Sequence, residues 1–180
     1  MTRIAIGFIV LMLVPFAVSA QTMKLSSPIV SQADGFAIIP NAAFPPDKKR
    51  IYRAVYDSTK FAKDPSILVP ALNNAGSELN ALAVSGVPLT NAKFTVVFHG
   101  ASVDGILDDE HYKAKFGIAN PNLKAIAAMK KAGVGFFVCG QYLIGENIDP
   151  KTLTQDVTVA SDALIVLMTL QNDGYALMSY

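Results

Sequence analysis

The chain has 180 residues, with 15 basic and 14 acidic side chains. That near-neutral balance gives no electrostatic reason to expect nucleic acid or an acidic surface as partner. One cysteine excludes a self-contained dithiol redox pair, and the length suits one domain with a sizeable core.

The first predicted element is a leader over residues 1–20. Arg3 supplies a positive charge, an apolar run follows from Ile4 to Val18, and Val18-Ser19-Ala20 closes it before Gln21. These are the parts of a cleavable secretory signal. As a helix, residues 4–18 would reach only about 22 Å, against a hydrocarbon core of about 30 Å. The leader is therefore read as cleaved near Ala20 rather than kept as an anchor, which predicts a periplasmic or secreted protein. Gln21 leaves no cysteine for lipid attachment, and no later stretch is apolar and charge-free enough to span a bilayer. Loss of Arg3 with the leader brings the net charge near zero. In an oxidising compartment the single Cys139 is either a buried small hydrophobe or a reactive thiol.

Residues 21–50 read as an irregular lead-in, punctuated by Ser26-Ser27-Pro28, Asp34-Gly35 and Pro45-Pro46-Asp47. Within it, Phe36 to Ile39 is expected to add an edge strand or to pack on the body. Lys48, Lys49 and Arg50 read as a solvated approach to the first strand.

From residue 51 to 180 the periodicity switches regularly. Ile51 to Tyr56 is β-rich, and Ser66 to Ser85 carries Leu68, Leu72, Ala75, Leu79 and Leu82 at the spacing of one helical face. Phe94 to Phe98 is a strand-length apolar run. Asn122 to Lys131 is a helix begun by Asn120-Pro121 and stopped by Gly133. Val134 to Val138 and Val157 to Ala160 are further short strands, Asp162 to Gln171 is a helix, and Tyr175 to Met178 is the last strand. Strands that alternate with helices and read as continuous apolar runs indicate a parallel sheet covered on both faces. Five strands of this kind predict a flavodoxin-like, doubly wound α/β domain, with the order 2-1-3-4-5 expected. The second crossover, broken by Gly105, Gly117 and Asn120-Pro121, reads as irregular.

Ligands in such sheets bind beyond the carboxyl ends of the strands. Those ends are Asp57-Ser58, His99-Gly100, Cys139-Gly140 and Ser161-Asp162, so the cysteine and one of two histidines share an edge. A helix start over Gln141 to Gly145 would offer free N–H groups that favour a Cys139 thiolate. A reactive Cys139 is then expected to be partly accessible. His99 is the candidate to assist it, as imidazolium or proton acceptor. Asp57, Gly100, Gly140 and Gln141 complete the expected cleft. His111, among Asp108, Asp109 and Glu110, reads as a surface residue. A metal site from His99, Cys139 and Asp57 is a weak signal with one cysteine and scattered ligands, and no cofactor is expected. Asp57-Ser58-Thr59-Lys60 lacks the glycines of a phosphate loop, and no G-x-S-x-G elbow is present.

Four segments together carry a resemblance: Phe94 to Gly100, Asn120 to Leu123, Gly133 to Gln141 with its Val-Cys-Gly-Gln, and Leu170 to Tyr175 with its Leu-Gln-x-x-Gly-Tyr. In them the chain resembles the DsrE/DsrF-like family, over about Ile51 to Tyr180. The resemblance implies a flavodoxin-like fold and assembly into trimers or hexamers. It also implies a cysteine that carries sulfane sulfur as a persulfide, received from or passed to a partner protein, and Cys139 falls on it. The family's well-understood relay members work in the cytoplasm, whereas this chain carries an export signal. Two functions from different classes follow. One is an exported sulfur carrier, sulfurtransferase-like, with Cys139 as acceptor. The other is a non-enzymatic oligomeric module that binds a small ligand in the same cleft.

Overall fold

The computed structural model describes residues 24–180; the expected leader and its cleavage point lie outside them. Among the described residues five strands form one all-parallel sheet: β1 (Tyr52–Ser58), β2 (Ala92–Phe98), β3 (Gly135–Cys139), β4 (Thr158–Ala160) and β5 (Ala176–Ser179). The helices between them are α1 (Pro70–Val84), α2 (Asp109–Phe116), α3 (Asn122–Lys131), α4 (Gly140–Gly145) and α5 (Ala163–Asn172). None is long and apolar enough to cross a membrane.

The strand order is β4-β3-β2-β1-β5, which corrects the expected 2-1-3-4-5. β1 to β4 step in one direction, so right-handed crossovers put α1, α3 and α4 on one face. The chain then returns from β4 past β1 to β5, and α5 lands on the other face. Burial follows this division. Tyr56, Val96, Phe98 and Val138 join Leu72, Leu79, Ile126 and Leu143 in the large core. The alternate residues Val55, Val97 and Cys139 meet Ala163 and Leu167 of α5 in a much smaller one. Both faces are helix-covered, but very unequally.

Local chemistry explains the element ends. α1 starts at Pro70, later than the periodicity suggested, because Pro suits the first helical position. The Val69 N–H, left outside the helix, donates to the Asn122 amide oxygen at 2.9 Å. Asp162 caps α5 by accepting from Leu164 N at 2.7 Å and Ile165 N at 3.2 Å. α2 was not expected. It has no apolar stripe, but Asp108 caps it, acidic residues fill its first turn, lysines fill its last, and Gly117 ends it in the left-handed region. His111 lies on α2 against Asp108, half-exposed, as expected.

Of the two expectations for Phe36 to Ile39, the edge strand is not met, while Phe36 is half-buried against the body. Phe36 makes one isolated bridge with Ser26 rather than a strand, and Ile38 and Ile39 are exposed. The anchor is Val30, wholly buried, held by Asn80 of α1. The Asn80 amide oxygen accepts from Ile29 N and Val30 N, both at 3.0 Å, and its NH2 donates to the Val30 and Asp34 carbonyls at 3.0 and 3.2 Å. Asn80→Ala strands these buried groups and is expected to destabilise by about 2–4 kcal/mol. A urea titration measures the loss, and limited proteolysis should show early cutting within residues 35–47.

Candidate functional site

The candidate site grows from alternation along three adjacent strands. Val55 and Val97 face α5, so two residues further on Asp57 and His99 face the same way. Cys139 ends β3 on that face too. β1, β2 and β3 are neighbours, about 4.8 Å apart. Asp57, His99 and Cys139 therefore form a row along the carboxyl edge of the sheet, under the start of α5.

The first two touch. His99 Nε2 lies 2.6 Å from Asp57 Oδ1, with side-chain exposures of 25% and 20%. An ionised carboxylate only accepts, so Nε2–H donates and the neutral ring keeps Nδ1 as its acceptor. The backbone fixes the histidine. His99 N donates to Ser58 O at 3.0 Å, and Ser102 Oγ–H donates to the Ser58 carbonyl at 2.6 Å, with the His99 carbonyl at 3.0 Å as the alternative acceptor of its one proton. Gly100 then turns the chain at φ +61°, where a side chain would be strained and its Cβ would lie 3.1 Å from Thr59 O.

Cys139 is the N-cap of α4, and its Sγ accepts from Tyr142 N at 3.4 Å. It is only 5% exposed, covered by Ala163 and Leu167. This corrects the expected partial accessibility: α5 lies over the thiol. Gly140 lets α4 begin against β4, since a Cβ there would sit 2.7 Å from Ala160 O. Connections leave β3 and β4 for opposite faces of the sheet, so the topological switch point falls beside Cys139. Gln141 is exposed on the first turn of α4. Tyr142 was not singled out in the sequence. It packs against both cores, and burial raises its phenol above the ordinary range, with Glu146 and Asp104 adding to the shift. Its backbone donor to sulfur follows from the N-cap position, a signal the Cys-Gly-Gln-Tyr spacing already carried. Among the described residues no group of three or more His, Cys, Asp and Glu is placed to hold a metal ion.

The DsrE/DsrF-like family model matches residues 55–180, the whole sheet from the middle of β1 onward. The chain belongs to the DsrE/DsrF-like family. Among solved structures, this DsrE/DsrF-like chain is similar to a protein of unknown function from Methanobacterium thermoautotrophicum. The two share 19% identity at a TM-score of 0.52, over 72% of this chain and 99% of that one. At that identity the likeness concerns the fold. A search of the curated proteins returns no match. The row Asp57–His99–Cys139 brings a thiol, an imidazole and a carboxylate to one edge of the sheet.

Proposed function

We propose that this protein is an exported sulfur carrier that holds sulfane sulfur on Cys139 as a persulfide. The observation that supports it is the shared face and edge of Cys139 and the Asp57–His99 pair. The Cys139 thiol gives its proton to His99 Nδ1, and the thiolate attacks the outer sulfur of a donor persulfide. A new S–S bond forms at Cys139 as the donor's own S–S bond breaks. Its electron pair leaves on the donor's inner sulfur, which takes the proton back from His99. One thiol and one persulfide exchange a sulfur atom, with no net oxidation. A sulfur-bearing protein or small persulfide is the partner this step requires. After incubation with a low-molecular-weight persulfide, intact-mass spectrometry should show a gain of one sulfur atom that dithiothreitol reverses.

The burial of Cys139 favours a second reading, in which the thiol is structural and the half-buried Asp57–His99 pair belongs to a small-ligand-binding module. Alkylation separates the two. A carrier is labelled in its native state; a structural thiol is labelled only on denaturation.

Export is the expectation carried by the leader. Protein from the native host should have an intact mass that begins at Gln21, and a full-length species alone would contradict it. Homo-oligomerisation, as trimer or hexamer, is supported by a second apolar stripe on α5. Leu164, Ile165 and Met168 are 60%, 52% and 56% exposed, beside exposed Leu177. A closed assembly would cover such a patch. Sedimentation should report a trimer or larger, and Ile165→Glu with Met168→Glu should reduce it to monomer with the sheet intact.

A further inference from the structure

The face opposite Cys139 carries a cavity of about 390 Å³, within the usual range for small-molecule sites. It lies between α1 and the β1–β5 edge, which α3 and α4 do not reach, and the lead-in roofs it through Phe36, Phe44 and Pro45. The walls are apolar and largely aromatic, with Tyr52, Phe94 and Met178 prominent.

Two groups break that lining. Tyr56 is 1% exposed, yet among the described residues its hydroxyl has no side-chain or backbone hydrogen-bond partner. Tyr56 lines this cavity. Glu78 of α1 faces the same space with its other side in solvent. Burial raises the Tyr56 phenol well above its ordinary range, Glu78 being the next cause, and partial desolvation raises the Glu78 carboxyl. Arg53 is the basic residue of the lining, but alternation turns its side chain away from the face shared by Tyr52 and Ala54. The cavity thus presents two acceptors and a negative charge, with Arg53 as its one basic lining residue.

The geometry points to a ligand site in this cavity for a small aromatic amine, with its ring among Phe36, Phe94 and Met178 and its ammonium between the Tyr56 hydroxyl and Glu78. An ammonium donates only, which suits a phenol oxygen and a carboxylate, and the aromatic walls add cation–π attraction. An anionic analogue of the same shape meets repulsion. The site is separate from the Cys139 edge and does not depend on the sulfur-carrier reading.

The chain contains no tryptophan, so indole fluorescence reports the ligand alone. Tryptamine and indole-3-acetate are titrated against the protein lacking its leader, with anisotropy as the readout. Tryptamine should bind at least about tenfold tighter than indole-3-acetate. Glu78→Gln should weaken tryptamine by about tenfold and close that gap, and Tyr56→Phe should weaken it several-fold. Ala176→Phe, at an exposed lining position, should block both ligands with the fold retained. Equal binding of the two ligands, indifference to Ala176→Phe or Glu78→Gln, or no anisotropy change at millimolar ligand would each overturn the assignment. Should Tyr56→Phe fail to fold, the two exposed-site variants decide.

Discussion

Serine in place of Cys139 is expected to abolish sulfur loading: the mass gain seen with a persulfide donor should disappear completely. No other residue can substitute, because the chain has one cysteine. From the sequence the swap is almost neutral for an accessible thiol and costs about 1–3 kcal/mol for a buried one. Burial selects the second case. Cys139 is buried against Val55, Val97 and Leu167, and a serine hydroxyl there keeps the Tyr142 N–H but needs an acceptor for its own proton. A loss of about 1–2 kcal/mol is expected, measured by urea denaturation beside the loading assay. A variant that keeps its persulfide would sink the carrier reading, whatever its stability.

The second large effect concerns rate. His99→Asn should slow loading roughly 100-fold at neutral pH while the final stoichiometry stays at one sulfur, as removal of a general base does. Asp57→Asn keeps the shape but lets the ring turn or change tautomer, and a slowing of about tenfold or more is expected. Rapid quenching followed by intact-mass analysis gives both rates. In the double variant the two losses should not add, because Asp57 acts through His99 across the 2.6 Å contact. Additive losses would mean that Asp57 acts on Cys139 by some other route.

Much of this site was legible before the fold. Continuous apolar runs located all five strands within one or two residues, and the residues just past Tyr56, Phe98 and Val138 were therefore correctly put on one edge. Which of them share a face follows from alternation once the strand ends are known. The pairing of Asp57 with His99 was not legible. It depends on β1 and β2 being neighbours in a register that sets Asp57 opposite Val97. The strand order was also hidden, because alternating strands and helices look the same whichever direction the crossovers take. α2 escaped for another reason: caps and charge hold it, and it has no apolar period to detect. In the lead-in the edge-strand alternative for Phe36 to Ile39 fails and Phe36 alone leans on the body, while the holding is done by a buried amide, Asn80, that hydrophobicity does not reveal.

Among the described residues α5 is the lone helix on the second face, which makes access to the thiol a conformational quantity. α5 buries only Ala163 and Leu167, while its outer stripe lies open. An element with so few buried contacts belongs to the low-stability end of a domain, where local opening needs far less free energy than global unfolding. The rate at which Cys139 meets any reagent is then the intrinsic thiol rate multiplied by the fraction of time α5 is lifted. Amide exchange along residues 163–172 and thiol labelling should therefore share one temperature and urea dependence. Whatever clamps the outer stripe of α5, a second copy included, lowers that fraction. In the proposed carrier, assembly and sulfur loading would in this way be thermodynamically linked through a helix that carries none of the three chemical groups.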